Sequence, residues 1–309
     1  MTNISNFRDE PLHRSDRRSD PARYRAAKPA KPRIFDMLPT EKDEKARSLL
    51  SAKLVQAGIL DLAGADVLDA ALGRDVRTIE GGMPIFDQGE RPEAIEVIVA
   101  GWAIRERVSL NGKRQIVGIL CGGDICDFNV FMMRAADSGC RVVGEARIAR
   151  IGRGVLNHLN RHHPAVGQAL WWESMTATAI QREWSANLAM RRAEPRIAAL
   201  LCMLLARMCL TGAIRKMAMP WPFTQSDLAN ACGLTPEHCN RSLAALRKRG
   251  LFEIKDGEVT ISDAPALASY AAFDPAALHC DPTLLPFSAP AERDAGITPV
   301  MLTDLAKTG

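Results

Sequence analysis

The stretch between residues 220 and 262 constrains the fold most, because its punctuation suits very few arrangements. Thr224 stands where a cap is needed before a short helix, Gln225–Ala231. Gly233 supplies a tight turn, and Thr235 caps a second helix, Pro236–Arg249, with Pro236 and Glu237 in its first turn. Leu251–Ile254 and Glu258–Ile261 then flank Asp256-Gly257, a two-residue hairpin signal. Helix, glycine turn, helix and hairpin together predict a winged helix-turn-helix.

The second helix divides by period. Cys239, Leu243 and Leu246 fall on one side, facing inward with Leu228 and Cys232. Pro236, Glu237, Asn240, Arg241 and Ala244 fall on the other. A carboxylate accepts from a cytosine amino group, and a guanidinium clasps a guanine edge, so Glu237, Asn240 and Arg241 are the expected base contacts. Thr224, Thr235, Arg247, Lys248 and Arg249 are expected on the DNA backbone, since caps, helix N-termini and cations suit phosphate. Residues 235–250 carry a local net charge of +3. The simpler reading of Glu237 and Arg241 is a surface pair one turn apart, worth about 0.3–0.5 kcal/mol.

The rest of the chain reads as α+β. Residues 1–38 read as a disordered basic tail, and residues 1–40 hold nine Lys/Arg against five acids, which equals the whole chain's net charge of +4. The tail is either solvated or an auxiliary DNA-contacting arm. Residues 41–72 have helical spacing, broken at Gly58 and Gly64. From 76 to 151 short apolar runs (Val76–Ile79, Ile95–Val99, Ala103–Val108, Gln115–Leu120, Arg141–Val143, Ile148–Ile151) alternate with turns, including Asn111-Gly112. That pattern predicts a β-sandwich or barrel within a unit spanning 39–163. Residues 164–192 read as one long helix with two apolar stripes. One stripe is Val166, Leu170, Ala177, Ile180, Trp184 and Leu188, and the other Ala169, Trp172, Thr176, Ala179, Ala186 and Met190. One stripe fits the chain's own sheet and the other a second copy, so a homodimer is expected. Residues 193–280 hold the winged helix-turn-helix, opening on a helix that Pro195 starts, and 281–309 read as a flexible tail.

Other classes fall away. With 309 residues, 47% hydrophobic and 25% charged, the chain needs no staple to fold. It has no apolar run of membrane-spanning length and no secretory leader, which places it in the cytoplasm. Eight cysteines form no CxxC. His158 and His162 have metal-compatible spacing without a completing ligand, so no metal and no cofactor are expected. Trp171, Trp172 and Trp184 read as packing rather than a haem or ligand pocket. No G-x-S-x-G, Walker loop, H-E-x-x-H or kinase motif occurs, so no enzyme is expected.

FTQSDLANACGLTPEHCNRSLAALRKRGLFEIKDGEVTI (223–261) resembles the Crp/Fnr family of bacterial transcription regulators, and IFDQGERPEAIEVIVAGWAIRERVSLNGKRQIVGILCGGDICDF (85–128) resembles it more weakly. The resemblance implies an N-terminal double-stranded, jelly-roll-like β-roll sensor, a long dimerisation helix and a C-terminal winged helix. It also implies three partners: a palindromic duplex with TTGAT-like half-sites, a second copy and RNA polymerase. Cyclic-nucleotide-binding members carry a Gly-Glu pair after Gly-Asp and then an Arg-Ser. Here those regions read Asp124-Ile125-Cys126-Asp127-Phe128 and Ala136-Asp137, so cyclic nucleotides are not expected to bind. Cys126, Asp127, Arg134, Asp137 and Arg141 remain the candidate effector-pocket residues of a degenerate or repurposed sensor. The first cysteine is Cys121, which fits no N-terminal iron–sulfur cluster. The alternative function is a ligand- or thiol-redox-sensing module, with Cys121, Cys126 and Cys140 as its thiols, acting mainly through protein contacts.

Overall fold

The computed structural model describes residues 47–128, 133–214 and 217–287. The polar segment 1–38 and residues 288–309 lie outside the described residues. Two helices come first, α1 (Leu49–Gln56) and α2 (Leu62–Leu72). Ser48 and Asp61 cap them through their side chains. The break falls between the helices at Ala57–Asp61; Gly64, expected to interrupt, sits inside the first turn of α2. There the Asp61 carboxylate accepts its backbone N–H at 2.7 Å.

An antiparallel sheet follows, built from β1 (Val76–Glu80), β2 (Pro84–Phe86), β3 (Ala94–Val108), β4 (Arg114–Cys121) and β5 (Gly139–Gly152). Its order is β1-β5-β3-β4, with β2 also paired to β5. Runs expected as separate strands prove continuous: Ile95–Val99 and Ala103–Val108 are both β3, and Arg141–Val143 and Ile148–Ile151 are both β5. Bulges between Ile98 and Trp102 divide each long strand into two halves while keeping it hydrogen-bonded to the other. Gly101 makes this passage at φ +94°, and a Cβ there would meet the Glu145 carbonyl at 2.4 Å. Asn111-Gly112 turns β3 into β4 as expected.

The alternation of β3 and β5 sorts the core. Ile98, Ala103, Cys126, Cys140, Val142 and Ile148 fill one cluster with Phe86. Trp102, Ile104 and Val143 face the other way, join Ile116, Ile119 and Cys121, and pack on the C-terminal helices. The N-terminal sheet and the helix-turn-helix therefore share one continuous core. Phe223 sits edge-on between Trp102 and Trp221, with ring centroids 5.3 and 5.0 Å away.

Helix α3 (Arg153–His162) leads into the long α4 (Pro164–Met190). Both stripes expected on α4 are largely covered within the chain: Val166, Ala169, Leu170, Thr176 and Ala179 are buried, and Ala177, Ile180, Trp184 and Leu188 half-buried. The face left open is a different one. It carries Trp171 (67% exposed) and Met175 (50%), then Thr178, Arg182, Ser185 and Ala189 at steps of three and four residues. The period of the sequence alone does not tell which faces the sheet and α5 will cover.

Helix α5 (Ala193–Leu210) is buried on nearly all sides, between the sheet, the winged helix and the chain's own end. The winged unit comprises β6 (Ala218–Pro220), α6 (Gln225–Ala231), α7 (Pro236–Lys248), β7 (Phe252–Lys255), β8 (Glu258–Ile261) and α8 (Ala264–Ala271). Its sheet has order β6-β8-β7, one strand more than the hairpin expected. Within the segment expected as a flexible tail, the described residues 281–287 are packed: a 3₁₀ turn forms at Pro282–Leu284, and Leu278 and Leu285 bury against Met203, Ala206 and Leu210 of α5.

Candidate nucleic-acid interface

The helix-turn-helix is assembled from local chemistry that the sequence announces. Thr224 and Asp227 form a reciprocal capping box: the Asp227 N–H donates to Thr224 Oγ1 at 3.1 Å, and the Thr224 N–H donates to Asp227 Oδ2 at 3.0 Å. Gly233 turns the chain at φ +62°, and the Leu234 N–H donates back to Ala229 O at 2.8 Å. The Arg196 guanidinium from α5 donates to the Cys232 carbonyl at 2.8 Å and closes the end of α6. Thr235 caps α7, accepting from the His238 N–H at 3.3 Å.

On α7 the expected division holds. Cys239, Ser242, Leu243 and Leu246 are buried, while Pro236, Glu237, His238, Asn240, Arg241 and Ala244 are exposed. Glu237, Asn240 and Arg241 thus share one open face in the first turns. The Glu237 backbone N–H, then the Thr235 hydroxyl and Arg241, hold the Glu237 carboxyl below the usual carboxylate range, so it stays an acceptor. Arg247 and Lys248 are exposed in the last turn.

Two expected backbone contacts have other work. The Thr224 hydroxyl donates to Asp227 at 2.7 Å, so its proton is used within the cap. Arg249 ends α7 with its Nε 3.7 Å from Glu194 and its guanidinium 4.9 Å above the Tyr270 ring, and Tyr270 itself donates to Glu194 at 2.5 Å.

The five candidate effector residues are not gathered into one pocket. Cys126 lies in the sheet interior beside Cys140, both fully buried. Hydrogen bonding to Cys140 and burial both push the Cys126 thiol above its ordinary range, which opposes thiolate chemistry. Arg141 projects from the opposite face of β5, donating to Glu106 at 3.0 Å and to the Gly82 carbonyl at 2.8 Å. Asp127 is buried, and Arg134 and Asp137 are exposed. None of the five lines the cleft between β4, α4 and α5, whose walls include Arg105, Gly118, Asp124, Glu173 and Arg207.

The charged groups under that cleft are not among the residues that the sequence singles out. Asp124 receives Arg207 of α5, and Lys53 of α1 lies 3.5 Å from Asp124 and 2.5 Å from Glu173 of α4. All four are buried. Burial opposes ionisation of Asp124, but Arg207 and Lys53 outweigh it and hold the carboxyl below its ordinary range. The sequence signal was modest: a charged residue inside each of three apolar helical stripes. His158 and His162 stack with ring centroids 4.6 Å apart, and among the described residues no group of three or more His, Cys, Asp or Glu is placed to hold a metal ion. No helix among them is long and apolar enough to cross a membrane.

Residues 195–270 match the model of the Crp-like helix-turn-helix domain. Electron transport regulator A of Shewanella oneidensis is 26% identical over 198 residues, covering 64% of this chain and 78% of that protein. The fumarate and nitrate reduction regulatory protein of Escherichia coli is 25% identical over 207 residues, covering 67% and 82%. The chain is a transcription regulator of the Crp/Fnr type. Among solved structures, FixK2 from Bradyrhizobium japonicum shares the fold, with TM-score 0.56, 18% identity and coverage of 63% of this chain and 96% of that one. This Crp/Fnr-type regulator thus has a helix-turn-helix DNA-binding domain joined to an N-terminal antiparallel sheet, and its relatives are regulators rather than enzymes.

Proposed function

We propose that this regulator acts in the cytoplasm as a homodimer on a palindromic site. Each subunit then places Glu237, Asn240 and Arg241 in one major groove. The observation that carries the reading is the sorting of α7, where these three side chains share the open face while Cys239, Leu243 and Leu246 anchor the other. Arg241 reads a guanine, and Glu237 reads the cytosine paired with it, in half-sites similar to TTGAT. Thr235, Arg247 and Lys248 meet phosphates. The dimer forms along the Trp171–Met175 face of α4, and two-fold symmetry sets the half-sites about one helical turn, roughly 10 bp, apart. The sensor is degenerate toward cyclic nucleotides, because Arg141 is committed to Glu106 on the far face of β5. RNA polymerase is the partner through which the bound dimer acts. Selection of bound duplexes from a random pool tests this. Inverted repeats of a TTGAT-like half-site support it, and direct repeats or no enriched sequence refute it.

A further inference from the structure

The free edge of the sensor sheet is closed by side chains instead of by another strand. Among the described residues β4 ends the sheet, so its outward backbone groups have no strand partner there. A side-chain amide sets an N–H donor beside a carbonyl acceptor, as a peptide group does, and Asn230 of α6 uses one of each on this edge. Its Oδ1 accepts from the Ile116 N–H at 2.5 Å, and its Nδ2 donates to Arg114 O at 3.2 Å. Gln115 returns the contact, donating to Asn230 O at 2.5 Å. Val117, skipped where the β3–β4 register shifts, accepts from Gln181 of α4 at 3.1 Å. Ile119 accepts from Arg207 of α5 at 2.8 Å, and the same guanidinium pairs with Asp124. Three helices thus each hold one stretch of a single strand.

These contacts leave the DNA-facing surface open. Asn230 lies in the last turn of α6, whereas Thr224, Gln225 and Ser226 at its start are exposed, as is the Glu237–Arg241 face of α7. We propose that the β4 edge is a lock: Asn230 and Arg207 hold the DNA-binding domain, and Gln181 holds the long helix α4, on the same strand of the N-terminal sheet in a DNA-competent arrangement, so that the protein binds its operator without a small-molecule effector. The proposal rests on the DNA reading above.

The test uses the full chain, stripped of small molecules, on the selected palindrome and on a single half-site. Wild type binds the palindrome with nothing added. Asn230→Ala keeps a good helix former in α6, and it speeds hydrogen exchange at the Ile116 amide by about tenfold or more. Palindrome affinity falls about tenfold while half-site affinity is unchanged, because only the simultaneous placement of two domains depends on the lock. Gln181→Ala, at an exposed position, shows the same pattern at about threefold and serves if Asn230→Ala folds poorly. The lock is overturned if Asn230→Ala raises palindrome affinity, lowers both affinities equally, leaves Ile116 protected, or if wild type binds only after an effector is added. If wild type binds no specific DNA with or without additions, the DNA reading itself fails and takes the lock with it.

Discussion

Replacing Arg207 by methionine keeps much of the side chain's volume and removes only its charge and donors. In the folded protein Arg207 is 6% exposed, pairs with Asp124 and donates to the Ile119 carbonyl at 2.8 Å. Without it, Asp124 keeps Lys53 at 3.5 Å and the Cys121 N–H at 2.6 Å, so the carboxylate is weakened in its pairing but not stranded. Removing one partner of a buried pair costs about 3–5 kcal/mol, and the two surviving contacts place this case at the lower end, about 3 kcal/mol. With a urea slope near 3 kcal/mol/M, the unfolding midpoint falls by about 1 M. Tryptophan fluorescence follows it, since Trp102 and Trp221 lie in the core shared by sheet and winged helix. Adding Asp124→Asn to Arg207→Met then costs little more, giving a coupling of about 2 kcal/mol in the double-mutant cycle. A loss below about 1 kcal/mol, or strict additivity of the two substitutions, refutes the assignment of this pair as the joint between domains.

Three further outcomes are expected. Trp171→Asp places a charge on the open face of α4; sedimentation then shows a monomer where wild type is a dimer, and a dimer in both refutes that face as the interface. Calorimetry with cyclic AMP and cyclic GMP gives no binding tighter than about 1 mM, a threshold near −4 kcal/mol; a micromolar constant for either contradicts the placement of Arg141. The stabilisation from Asp124, whose folded pKa lies below its unfolded value near 3.9, is complete above that value and disappears as pH falls through the folded pKa. The urea-midpoint gap between wild type and Asp124→Asn therefore stays constant from about pH 8 to pH 5 and shrinks below about pH 4; a gap that closes near neutrality contradicts the depressed pKa.

The helix-turn-helix was legible in the sequence because its determinants are local. Thr224 with Asp227, Gly233, Thr235-Pro236 and Asp256-Gly257 each fix backbone geometry within a few residues. The same holds for the open face of α7, which follows from period alone. The N-terminal sheet is harder, because bulges let β3 and β5 run on through Gly101 and Gly144, where the apolar runs of the sequence are interrupted. On α4 the misread stripe has a tertiary cause. The sheet, α5 and the chain's end cover most of the helix circumference, and the face they leave is no more apolar than the ones they cover. The effector residues were misgrouped for a related reason. Cys140 and Arg141 are neighbours in sequence, but adjacent positions on a strand point to opposite faces. The Asn230 contact to β4 has no signal in the sequence, since it joins positions 114 residues apart.

If α7 reads base edges, Arg241→Ala reveals it with the least ambiguity. Anisotropy titrations of wild type and variant on the selected palindrome and on scrambled DNA, each at two salt concentrations, separate base from phosphate contacts. Base readout by Arg241 gives a loss of about 1–3 kcal/mol per half-site on the palindrome, relaxed preference at the G·C pair, little change on scrambled DNA and an unaltered salt slope. Lys248→Ala supplies the contrast, weakening both duplexes alike and lowering the salt slope by about one. Equal loss on palindrome and scrambled DNA for Arg241→Ala, with a reduced slope, makes Arg241 a phosphate contact and contradicts base readout by α7.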